Sequence, residues 1–205
     1  ALYEPLLRTE FARAELPAYF AGNDVILRKP LPAALLAALE AVDRYDYEPV
    51  LTFLKSCLSP LEPDACDRLE RYAFTGGLRG MQGAECWTMH PAGYGVPWDE
   101  NSRTELEGLE RTRAAAMAPL TALRRALRSA RSVGQMLQAL DAFLESLHTG
   151  ERMQAQAQRL ERAGAMQDAQ QVRQLHELLT GAMEQMYQTL GLCVMEPGQF
   201  ADVFR

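Results

Sequence analysis

The sequence predicts an all-α fold, an irregular array of about seven or eight helices preceded by a short helix–strand lead-in. Three observations carry that prediction. Apolar residues recur at i, i+3, i+4 and i+7 through most of the 205 residues. Proline or serine opens several of these windows, and glycine or proline closes them. Only one short segment, Pro17–Phe20, reads as extended.

Leu2, Leu6, Leu7 and Phe11 stand at near-helical spacing over residues 2–14, and Pro17-Ala18-Tyr19-Phe20 follows as a strand ending in the turn Ala21-Gly22-Asn23-Asp24. A lone strand cannot satisfy its backbone groups, so its sheet is expected outside this chain and residues 1–29 are set apart as a lead-in. Pro32 suits a first helical turn, and Leu35, Leu36, Leu39 and Val42 form a stripe that predicts a helix over 32–45. The stripe repeats as Val50, Leu51, Leu54, Cys57 and Leu58 over 47–58, stopped by Ser59-Pro60. Pro63 and Asp64 open a third helix carrying Cys66, Leu69, Tyr72 and Ala73, with Gly76 or Gly77 as its left-handed terminator.

From Gly76 to Ser102 the chain holds six glycines, two prolines and both tryptophans without a sustained period. A loop of that length is uncommon unless it is functional or packed down by its own aromatics, and Trp87, Tyr94 and Trp98 are expected to pin it. Residues 103–129 form the longest helical window, which Pro119 is expected to kink or split. Its charge is graded, from Asp99, Glu100, Glu105, Glu107 and Glu110 to Arg124, Arg125, Arg128 and Arg131, as the helix dipole prefers. Ser132-x-x-Gln135 is a capping-box signature opening a helix to about Leu147. A weakly anchored, Gln/Ala-rich helix over 151–163, a long helix over 166–192 and a short amphipathic turn over 199–204 complete the series.

Composition excludes several classes. No apolar run reaches the roughly 20 residues that span a bilayer. A net charge of −6 argues against a chain that coats nucleic acid along its whole surface, since phosphate affinity needs clustered positive charge. Cys57, Cys66, Cys86 and Cys193 contain no CxxC pair, so reduced thiols and a cytoplasmic location are expected. The chain opens on Ala1 directly before a helical pattern, with no secretory signal pattern, as an excised piece of a larger protein would.

The residue types that chemistry needs are scattered. Cys86 and His90 stand at i, i+4, but a structural zinc site brings paired ligands from two sides and only one pair is present. Gly76-Gly77-Leu78-Arg79-Gly80 lacks the Lys-Ser/Thr that completes a phosphate-binding loop. The carboxylates alternate with arginines on helix faces, as solvated surfaces do. No catalytic, cofactor-binding or metal-binding residue is therefore expected. Residues 111–140 hold six arginines and no acid; Arg124, Arg128 and Arg131 share a helical face, and with Arg79 they are the DNA-contact candidates.

The stretch Tyr47–Trp87 carries an identity. YEPVLTFLKSCL over 47–58, LERYAFTGGLRG over 69–80 and then Trp87 resemble the B subunit of AddAB-type ATP-dependent helicase–nucleases, whose members show YEDVFxLLKTGL, LENYxLxxGIxG and a tryptophan. Tyr3–Phe20 resembles the family's helix leading into an "IPxF" strand, and Leu31–Val42 its "PLxxLLxALE" helix. Pro49 departs from the acidic or polar residue usual there, and Met81–Cys86 lengthens the link to the tryptophan. The resemblance implies that residues 1–29 lead in from a motor-like domain and 30–205 form a helical insertion domain of the 2B type. It implies a structural, DNA-guiding role in double-strand-break processing. The parent would use ATP, magnesium and an iron–sulfur cluster and act on DNA together with an A subunit. Two alternatives stand beside it: the 2B-type domain of a single-chain superfamily 1 helicase, and a free-standing interaction module with an apolar stripe on 166–191.

Overall fold

The computed structural model describes residues 4–14, 16, 28–78, 80–81 and 87–203. Nine helices run through these residues: α1 Glu4–Arg13, α2 Pro30–Arg44, α3 Tyr47–Leu54, α4 Pro63–Thr75, α5 Glu100–Ser129, α6 Val133–Ser146, α7 Thr149–Arg162, α8 Met166–Leu190 and α9 Pro197–Val203. The all-α prediction holds among the described residues, where the one β-type pairing is an isolated bridge between Asp46 and Gly80. The expected strand Pro17–Phe20 lies outside them.

Helix α2 is the centre of the array. Nine of its fifteen residues are buried, and four of those are alanines, Ala34, Ala37, Ala38 and Ala41. A helix apolar on nearly all sides has to be surrounded, and small side chains let α3, α5, α8 and α9 all pack against it. With Leu31 and Leu35 of α2 itself, Phe53, Leu54, Leu69, Leu120, Met136, Leu140 and Phe200 are among the large side chains closed off in the core, each Leu or Phe stabilising by about 1.5–3 kcal/mol. No described residue of α1 joins this core, and Leu6 and Leu7 are exposed.

Helix ends follow local chemistry. Helix α3 stops at Leu54, four residues short of the expected Leu58, because serines take over the backbone groups: Ser56 Oγ donates to Phe53 O at 2.6 Å and accepts from Leu58 N–H at 3.2 Å. Helix α4 ends in a Schellman turn, with Gly77 left-handed at φ 59° and the Leu78 N–H donating to Ala73 O at 3.0 Å. Helix α5 starts at Glu100, capped by Asp99, whose Oδ1 accepts from the Ser102 N–H at 2.7 Å. Pro119 does not split it: the helix runs unbroken for 30 residues, with Ala116, Met117, Leu120 and Leu123 buried on both sides of the proline. Ser132 caps α6 as expected, accepting from Gln135 N–H at 3.3 Å, while Gln135 Oε1 reaches one residue further back than in a capping box, to Arg131 N–H at 2.7 Å.

Helices α7 and α8 form an antiparallel pair turned at Gly164, φ 81°. Met153 and Ala157 anchor α7, and Arg152 Nη1 donates to Ser59 O at 2.5 Å. Val172, Leu175, Leu179, Met183, Met186 and Leu190 of α8 all pack on the core, so the outward side carries no continuous apolar stripe; Met166, Leu178 and Tyr187 are its exposed large apolar residues. The link after α8 returns to α6, where Val133 N–H and Gly134 N–H donate to Cys193 O and Gly191 O, each at 2.9 Å. Two unpaired donors at the helix start are thereby satisfied, and α9 is set against α2 and α6.

Candidate functional site

The two ends of α5 meet different surroundings. At its N-terminal half Glu110 Oε1 accepts from the Trp87 backbone N–H at 2.7 Å and from Arg113 Nε at 3.1 Å, and Glu110 Oε2 accepts from Arg113 Nη2 at 2.8 Å. The Arg113 guanidinium lies 5.4 Å from the Trp87 ring centre, and that ring stacks on Tyr72 at 4.6 Å. Burial pushes the Glu110 carboxyl up, but the bonds from Arg113 and Trp87 outweigh it and leave the carboxyl below its ordinary value. This cluster fastens the long loop to α5. Tyr72 Oη adds a 2.9 Å bond to Met89 O, and Trp98 meets buried His90 edge-on at 4.7 Å. Tyr94 does not pin the loop as expected: it is fully exposed, held out between the left-handed glycines Gly93 and Gly95.

At its C-terminal end α5 borders a groove of about 1140 Å³ where α2, α5 and α9 meet. Arg124, Arg128 and Arg131, three of the four DNA-contact candidates, line it together. Arg124 is half-buried, with its guanidinium 4.4 Å from the ring centre of Tyr45, a cation–π stack that fixes the side chain against the protein. Arg128 and Arg131 are exposed and make no ion pair among the described residues. Arg79 lies outside the described residues; its neighbour Gly80 bridges to Asp46 on the groove wall, and Met81 N–H donates to Tyr45 O at 3.1 Å.

What sequence reasoning missed is the other wall. Glu40, Asp43 and Asp46, distant from the arginines in sequence, line the same groove, and Glu196 and Asp202 join from the α9 end. The pattern along α2 shows those acids on a solvated side, but no periodicity places them beside α5. The possible ligand pair is not brought into view, since Cys86 lies outside the described residues, and His90 Nδ1 accepts from Ala92 N–H at 3.1 Å. No cluster of three potential metal ligands occurs among the described residues. Burial raises the Cys57 thiol, and Cys66 Sγ donates to Leu54 O at 3.0 Å, as structural thiols do.

The chain is 28% identical to the B subunit of the ATP-dependent helicase/deoxyribonuclease of Pelotomaculum thermopropionicum, over 98% of its own length and 18% of that protein. It is 29% identical to the corresponding protein of Desulforamulus reducens over 92% of this chain and 17% of that one, and 27% identical to that of Moorella thermoacetica over 98% and 18%. No family model matches. The resemblance to helicase–nuclease B subunits read from Tyr47–Trp87 is thus borne out along nearly the whole chain, and the chain spans 17–18% of the length of these relatives.

Proposed function

We propose that this chain is a non-catalytic structural domain of the B subunit of an ATP-dependent helicase–nuclease that processes double-strand DNA ends in recombinational repair. The observation that carries the reading is the similarity, over 92–98% of this chain, to proteins named as that component. On this reading the parent enzyme's ATP, magnesium and iron–sulfur cluster lie elsewhere in the complex, and an A subunit is its partner. The purified 205-residue chain is expected to show neither ATPase nor magnesium-dependent nuclease activity, and detectable turnover of either kind would contradict the assignment. Sequencing the gene on both sides of Ala1 and Arg205 separates this reading from a single-chain helicase, which would carry its own motor motifs and no nuclease domain.

A second reading, DNA guiding, is favoured by the exposure of Arg128 and Arg131 and their lack of ion pairs among the described residues. Arg79 remains a candidate beside them, while Arg124 is tied to Tyr45. Arg128→Glu with Arg131→Glu in the intact enzyme should weaken duplex binding and flatten its salt dependence by about 0.9 per lost phosphate contact. Unchanged affinity and slope would remove this reading and leave the first in place.

A further inference from the structure

The groove at the α2–α5–α9 junction combines an apolar floor with charges of both signs. Its floor is apolar, formed by Leu39, Val42 and Leu127 with Met195 and Ala201 beside them. Its walls are of opposite sign. Helix α5 and the residues after it supply Arg124, Arg128 and Arg131, whereas α2 and its C-terminal turn supply Glu40, Asp43 and Asp46. Among the described residues Arg44, Glu196 and Asp202 also line the groove, and Arg44 pairs with Asp43 at 3.5 Å. A polyanion entering this space brings no charge of its own for the acidic wall. A polypeptide segment satisfies all three surfaces at once: an apolar face on the floor, a basic edge toward α2 and an acidic edge toward α5.

We propose that the groove docks a segment of the B-subunit polypeptide lying outside these 205 residues, with an apolar face bordered by basic residues on one side and acidic residues on the other. The proposal rests on the B-subunit reading and names what the structural domain holds. An intramolecular occupant suits the lining, because interfaces between domains of one chain are more polar than those of obligate complexes, and a tether supplies the effective concentration that such a polar groove needs. The relatives provide ample chain for it, since this stretch matches only 17–18% of their length.

The test places a photo-cross-linking benzoylphenylalanine in the full-length B subunit, alone, at Val194, which lines the groove and is 85% exposed, and separately at Arg131 on the opposite rim. Leu192, 98% exposed and outside the lining, is the control position. Both groove positions should capture one and the same intramolecular peptide from beyond this stretch, carrying charges of both signs, and Leu192 should not. Arg128→Glu should lower the Val194 yield several-fold. Capture of a DNA end when one is added, capture only of an added A subunit, a segment of one charge sign, or no cross-link from either position would each overturn the proposal. A flanking gene that encodes no B subunit defeats the underlying reading instead, so the two failures are told apart.

Discussion

Arg113 and Arg128 belong to the same helix and have opposite fates. Arg113 is 6% exposed, bonded to Glu110 and laid over Trp87, so its charge holds a loop to the fold. Arg128 stands exposed at the groove rim with no ion pair among the described residues. A desolvated charge has to be paired, while a solvated one costs the fold little and stays available to a partner. The difference divides α5 into an end that builds the domain and an end that faces outward.

The largest effects should therefore lie at the first end. Trp87→Ala removes the ring that Tyr72 stacks on and Arg113 covers, and is expected to cost about 3–5 kcal/mol, read as a lower denaturation midpoint. Glu110→Ala removes the carboxylate that accepts from the Arg113 guanidinium and the Trp87 N–H; about 1.5–3 kcal/mol is expected, the range for hydrogen bonds to charged groups. The same site sets a pH dependence. A carboxyl held below its ordinary value stabilises the fold fully above the ordinary carboxylate range, and that contribution is lost as pH falls through the lowered folded-state value. Glu110→Gln should flatten the acid side of a Tm-against-pH curve; an unaltered acid limb would mean the brace carries no linkage.

Next come the joints that seat the groove. A Cβ on Gly134 would lie 2.8 Å from Gly191 O, a backbone atom, so Gly134→Ala must displace the α8–α9 link. About 1–3 kcal/mol is expected from such overpacking, together with faster hydrogen exchange at Gly134 and in α9. Ser132→Ala removes the cap from α6 and should cost about 1 kcal/mol.

Elements whose cause is local were legible in the sequence. Gly77 was readable as a terminator because a left-handed residue favours glycine, and Ser132 as a cap because its hydroxyl has only nearby donors to serve. Trp87 was legible as a loop anchor, but Tyr94 was not distinguishable from it, since composition does not say which ring points inward. The arginine face on α5 was visible from spacing; the acids across from it were not, because Asp43 and Glu196 meet the arginines only through the packing of α2 and α9. Pro119 did not split the helix for a similar reason: its local cost is real, and buried neighbours on both sides offset it.

At the outward end the expected effect on stability is the smallest, and that is what makes it informative. Arg128 lies in the last turn of α5 and Arg131 just beyond it, both exposed. Reversing both charges removes cations from the negative end of the helix dipole and places anions there, a change worth about 0.3–1 kcal/mol per site at low salt and less once screened. Arg128→Glu with Arg131→Glu should therefore shift the denaturation midpoint slightly in low salt and hardly at all at about 0.5 M, where the Debye length is only a few ångströms. A loss on the scale of Glu110→Ala that persists in high salt would show these arginines to be part of the fold after all, and the division of α5 into a building end and a facing end would fail.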